Sequence, residues 1–102
     1  MPQTIAFTKG HGTGNDFVIV PDDDGRSLVH RVIYEELCLG VVREESRAGY
    51  RQVIARLVDQ GAQAVILGCT EIAMLVSAAD APVPVFDTTA IHAQAAVDAA
   101  LA

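Results

Sequence analysis

Two short runs of branched and aromatic residues, Thr4-Ile5-Ala6-Phe7-Thr8 and Phe17-Val18-Ile19-Val20, open the chain and read as β-strands. Lys9-Gly10-His11-Gly12-Thr13-Gly14-Asn15-Asp16 joins them with eight residues, three of them glycine. A parallel crossover needs about a dozen residues or more. The spacing therefore predicts an antiparallel hairpin with an irregular, glycine-permitted tip. Pro21-Asp22-Asp23-Asp24-Gly25 reads as a solvated turn that closes the second strand.

From Ser27 the period changes to that of a helix. Val29, Val32, Ile33 and Leu37 recur at 3.6-residue spacing, with Ser27 the expected N-cap and Gly40 the expected stop. Tyr50, Val53, Ile54, Leu57 and Val58 form a second stripe, ended by Gly61. Ala64-Val65-Ile66-Leu67 is an uninterrupted apolar run and is expected as a central parallel strand covered on both faces. Gly68-Cys69-Thr70-Glu71 then leads into an expected short helix through Ile72, Leu75 and Val76. Pro82-Val83-Pro84-Val85-Phe86 reads as a strand with its prolines at the start. Asp87-Thr88-Thr89 caps an Ala-rich helix running to Leu101. The sum is one small α/β domain over residues 1–102, in two or three layers. It has a mixed or parallel sheet and the order β-hairpin, α, α, β, α, β, α.

Composition narrows the partners. The chain has 102 residues, is 51% apolar and carries a formal charge of −6. An acidic chain with one lysine repels phosphate backbones, which argues against nucleic acid. No apolar run reaches the ~20 residues of a membrane helix. Met1-Pro2-Gln3-Thr4 lacks the head of a signal peptide. Cys38 and Cys69 are the only cysteines; they make no disulfide scaffold and point to a reducing cytoplasm. They stand 31 positions apart with no paired C-x-x-C, so no metal is expected.

Gly68-Cys69-Thr70-Glu71 is the strongest local signal. It sets a thiol at the carboxyl end of a buried strand, the rim where open α/β sheets hold ligands. A following helix would favour thiolate, making Cys69 the more reactive cysteine. Thr70 adds a hydroxyl and Glu71 a carboxylate. The plainer alternative is a small apolar residue in a turn. Cys38, beside Leu37 on the first helical stripe, reads as core filler. His30 reads as a helix-face residue, and His92 sits at a second strand-end rim after Asp87-Thr88-Thr89. Gly10-x-Gly12-x-Gly14 matches neither nucleotide fingerprint, and Asp22-Asp23-Asp24 lacks the alternation of a calcium loop.

Residues from about 18 to 102 resemble the second lobe of the cofactor-independent aspartate/glutamate racemase family. The segments that carry the likeness are Val20-Pro21-Asp22-Asp23-Asp24-Gly25, Arg31-Val32-Ile33-Tyr34-Glu35-Glu36-Leu37 and Val65-Ile66-Leu67-Gly68-Cys69-Thr70-Glu71-Ile72. Val83-Pro84-Val85-Phe86-Asp87-Thr88-Thr89-Ala90-Ile91-His92-Ala93 completes them. Residues 1–25, above all Phe7-Thr8-Lys9-Gly10-His11-Gly12-Thr13-Gly14-Asn15-Asp16-Phe17, resemble the N-terminal hairpin of diaminopimelate epimerase. The chain thus reads as a join, an epimerase-like start on a racemase-like lobe spanning 26–102.

Both resemblances imply the same chemistry. Without pyridoxal phosphate or any other cofactor, a thiolate takes the α-proton of an amino acid and a second group protonates the opposite face. Carried over, Cys69 is one of the two acid–base groups and Glu71 orients or tunes it. Thr70, Thr88, Thr89 and His92 line the substrate cleft, and Asn15 contacts substrate as its counterpart does in the epimerase. The family's other base belongs to a lobe that has no counterpart here, and one thiol cannot serve both faces of a fixed Cα. The resemblance therefore implies an isomerase that is weak or inactive as an isolated chain, with a homodimer as one route to completion. Two other readings stay open: an epimerase-like fragment, and a non-catalytic α/β domain holding a small carboxylate.

Overall fold

A hairpin opens the structure, as the eight-residue connector predicts. The computed structural model describes residues 4–9 and 16–102, with side chains from Val18 onward. Strands β1 (Thr4–Lys9) and β2 (Asp16–Ile19) run antiparallel, with Phe7 opposite Val18. The hairpin tip lies outside the described residues, and with it His11 and Asn15. The second edge of β1 pairs antiparallel with β3 (Ala64–Leu67), which in turn pairs parallel with β4 (Val85–Asp87). The sheet order is β2-β1-β3-β4. The apolar run at 64–67 is thus central, as expected, but in a mixed sheet. Only Val65 and Leu67 are fully buried, while Ala64 and Ile66 are half-buried.

Helix α1 spans Asp23–Glu35 and α2 spans Glu44–Asp59. The first begins four residues before the expected Ser27. Asp22, read as part of a solvated turn, is its N-cap and accepts the Gly25 N–H at 2.8 Å. Asp23 and Asp24 then fall in the first turn, where negative charge suits the exposed N–H groups. Space at Gly25 is tight: a Cβ there would stand 3.1 Å from Pro21 Cβ.

The two helical stripes pack as their period predicts. Val29, Val32 and Ile33 of α1 and Tyr50, Val53, Ile54 and Leu57 of α2 share one core with Val65 and Leu67. Tyr50 carries a hydroxyl into that core, and it donates to the Val29 carbonyl at 2.9 Å, which satisfies the buried group. The buried Glu36 carboxylate accepts from Ser46 Oγ at 2.5 Å. Cys38 departs from expectation. α1 ends at Glu35, and the chain tightens into a 3₁₀ turn over Leu37–Leu39. That turn buries Leu37 but rotates Cys38 off the stripe to the surface. Gly40 closes it in a left-handed conformation, φ 77°.

The expected helix after Glu71 is replaced by two single 3₁₀ turns, Ile72–Met74 and Ala78–Asp80. Side chains of α2 capture the groups a helix would have used. Arg47 Nε donates to the Leu75 carbonyl at 2.7 Å, and Arg51 Nε to Asp80 Oδ1 at 2.6 Å. Asp80 also accepts the Ser77 N–H. Helix α3 (Thr88–Leu101) begins where predicted, with Asp87 as N-cap accepting from Thr89 and Ala90 N–H. None of its residues is buried. Among the described residues, no helix is long and apolar enough to cross a membrane, and no three His, Cys, Asp or Glu side chains gather as a metal site would need.

Candidate functional site

The parallel register of β3 and β4 sets Leu67 beside Asp87 at the carboxyl ends of both strands. The chain segments that leave these ends therefore emerge side by side. One carries Cys69, Thr70 and Glu71, and the other opens α3 with Thr88, Thr89 and His92. A bond joins them: Thr88 Oγ1 donates to the Leu67 carbonyl at 2.8 Å. Between them lies an open concavity of about 690 Å³, lined by Thr70, Thr88, Thr89, His92 and Ala93. Four of these five are sequence candidates. Ala93 was not a candidate; it follows Thr89 by one helical turn, a spacing that gives a methyl group no chemical signature.

Cys69 is buried beneath this rim and hydrogen-bonded within it. Its Sγ–H donates to Glu71 Oε2 at 2.9 Å, and Thr70 Oγ1 donates to the same oxygen at 2.5 Å. Burial pushes the Cys69 thiol above its ordinary value, and the Glu71 hydrogen bond pushes it the same way. The N–H groups of Glu71 and Ile72 act in the opposite sense, but no helix stands behind them. The expected thiolate is therefore a thiol at rest. Glu71 moves the other way, held below the usual carboxylate range by Cys69 and then by Thr70. The pair is a protonated thiol donating to an ionised carboxylate.

Beneath the thiol lies Tyr50, whose phenol is pushed well above its ordinary value by burial and then by the charges Cys69 and Glu36 can carry. It is neutral at any physiological pH. The groups that act on Cys69 are thus the ionised Glu71 carboxylate, the Thr70 hydroxyl bonded to it and the neutral Tyr50 phenol. Such a site can move one proton on and off a sulfur, with Glu71 to receive it.

A small mixed α/β domain with a thiol–carboxylate pair at its strand-end rim is the class these features define. The Asp/Glu/hydantoin racemase family model matches residues 14–96, and the chain belongs to that family. A crystal structure from Yersinia pestis, assigned as an Asp/Glu racemase, superposes with a TM-score of 0.77 at 63% identity. It covers 82% of this chain, which corresponds to 36% of the Yersinia chain. Diaminopimelate epimerases from two strains of Corynebacterium glutamicum are 47% identical over 38 residues and 62% identical over 26. Those stretches are 37% and 26% of this chain, and 14% and 9% of the epimerases. The chain therefore spans well under half the length of each.

Proposed function

We propose that this chain provides the Cys69 half of a cofactor-independent amino-acid racemase or epimerase active site. The observation that carries the reading is the Cys69–Glu71 pair at 2.9 Å, on either side of Thr70, which lines a concavity wide enough for an amino acid. Thr70, Thr88, Thr89 and His92 form the wall against which the substrate lies, and the likeness to the epimerase gives Asn15 a substrate contact as well. Glu71 receives the thiol proton, and the thiolate so formed takes the α-proton of the substrate. The electron pair of the broken C–H bond passes into the α-carboxylate as an enediolate. The Cys69 thiol so formed returns a proton to Cα, which restores the amino acid, and protonated Glu71 then gives its proton back to the thiolate.

Inversion needs a second acid on the other face of Cα. A single chain offers Cys69 on one face alone, so it exchanges the α-hydrogen with solvent and returns it to the same side. A homodimer in which two copies of Cys69 share one cleft supplies the missing group. Its natural contact is α3, nine of whose fourteen residues are apolar and all of which are exposed. Deuterium incorporation at Cα of aspartate, glutamate and diaminopimelate tests the reading. Exchange lost in Cys69→Ala supports it; binding without exchange favours a carboxylate-holding domain instead.

A further inference from the structure

Thr88 stands in the wall of the concavity, yet its hydroxyl hydrogen does not point to a ligand. It goes to the Leu67 carbonyl, 2.8 Å away. Leu67 is the last residue of β3 and two positions before Cys69, while Thr88 is the first residue of α3. The bond sits where the parallel ladder ends, since Leu67 opposite Asp87 is its final pair. Beyond it the two chains diverge, one into the exposed Gly68 and the thiol turn, the other into a helix with no buried residue.

We infer that Thr88 is a positioning residue, which through the Leu67 carbonyl holds the Cys69 turn against the first turn of α3. The inference rests on the reading of this concavity as the substrate site. Thr88 has one hydrogen to give, and Leu67 takes it. Its contribution to catalysis is then the distance between the Cys69 sulfur and the Thr89–His92 wall. A displacement of that order matters to proton transfer, which requires donor and acceptor in close reach. A valine has nearly the same shape and cannot donate, whereas a serine keeps the hydroxyl.

The test compares Thr88→Val with Thr88→Ser by iodoacetamide labelling across pH, with mass mapping of both cysteines. Exposed Cys38 serves as the internal reference. Gly40→Ala, which strains the left-handed residue closing the Cys38 turn, controls for general loss of stability and is read on the Cys69 midpoint alone. In Thr88→Val the freed turn exposes the sulfur, so Cys69 labels roughly tenfold faster at mildly alkaline pH, a one-unit fall in its midpoint. Cys38 does not change, Thr88→Ser stays near the parent, and Gly40→Ala leaves the midpoint in place. A Cys69 profile unmoved by Thr88→Val, or moved equally by Gly40→Ala, overturns the inference. Cα deuteration measured alongside separates the two readings. If the parent chain shows none while the Cys69 profile still shifts, the racemase reading falls and the positioning role stands.

Discussion

The Cys69 thiol and the Glu71 carboxylate, two residues apart in sequence, lie 2.9 Å apart with the sulfur as donor. The direction of that bond fixes the resting state. A thiol that donates to a carboxylate is stabilised in its protonated form, and the carboxylate in its ionised form. The pair therefore stores a proton on sulfur and keeps its acceptor ready.

Replacing Glu71 by Gln separates two quantities that usually move together. Loss of the carboxylate removes both the strong acceptor and the negative charge that hold the proton on sulfur. Cys69 ionises more readily, and its alkylation at mildly alkaline pH speeds up severalfold. Cα exchange falls by roughly tenfold or more, because the group that receives the thiol proton is gone. Parallel labelling and exchange measurements check it; a fall in both would remove Glu71 from the acceptor role.

The ligand-free chain should alkylate first at Cys38. It is exposed, whereas Cys69 is buried with its thiol pushed above the ordinary value. This reverses the order expected from the sequence, and the reason is local. That expectation required a helix after Glu71 to stabilise thiolate, and the spacing of Ile72, Leu75 and Val76 supports one. Arg47 and Arg51 override it by binding Leu75 and Asp80, contacts that no local pattern records. Iodoacetamide mapping at neutral pH checks the order.

What the chain pattern does reveal is also specific. The eight-residue connector requires antiparallel pairing of β1 and β2, the stripes on α1 and α2 identify their buried faces, and Asp87 marks the start of α3. Each is a local consequence of backbone geometry or of residue period. Asp22 is the instructive failure: a run of three aspartates beside proline and glycine fits a turn and a helix N-terminus equally well. Gly25 decides it by donating to Asp22 Oδ1 while packed against Pro21. The site divides in the same way, since the Gly-Cys-Thr-Glu segment marks the rim but not the state of its thiol.

Stability should depend on pH at both extremes, with opposite signs. Desolvation raises the buried Asp80 carboxyl, but the Ser77 N–H and Arg51 outweigh it and hold it below its ordinary 3.8. Its contribution is complete above that value and is lost as pH falls through the lower folded one. Cys69 and Tyr50 are raised above 9.0 and 10.0 respectively. The folded state then holds protons that the unfolded chain releases, so stability is intact below pH 9.0 and declines as pH rises past it. Thermal melts between pH 7 and 11 check this. Cys69→Ala and Tyr50→Phe each flatten the alkaline decline, and Tyr50→Phe costs about 1 kcal/mol at neutral pH for the lost hydrogen bond to the Val29 carbonyl.

Asp87→Ala tests the junction that carries Thr88. Its carboxylate accepts the Thr89 N–H at 3.0 Å and the Ala90 N–H at 3.3 Å, and loss of such a cap costs about 1 kcal/mol. Because α3 buries no residue, that loss is not shared with the core and appears as fraying of the helix alone. Helical circular dichroism should fall at its N-terminus while the main melting transition stays in place. A drop in the main transition would mean that α3 contributes to the core.

The same unburied helix makes the assembly prediction. A helix this rich in apolar residues is ordinarily a buried one, yet Ile91, Val97 and Leu101 are 52%, 50% and 82% exposed, with Phe86 of β4 at 46%. Covering about 600 Å² of such surface on each chain corresponds to roughly 15 kcal/mol gross, from which association subtracts a large share. The alanines work against this by giving little area each, but they also let a second helix approach closely. Sedimentation equilibrium at micromolar concentration should show a dimer, and Val97→Glu should return it to a 10.8 kDa monomer with the fold unchanged. If the dimer also shares a cleft, it inverts Cα as well as exchanging its hydrogen, and Val97→Glu keeps the exchange while losing the inversion. A monomeric parent chain would end the homodimer and leave α3 to be covered by something other than its own copy.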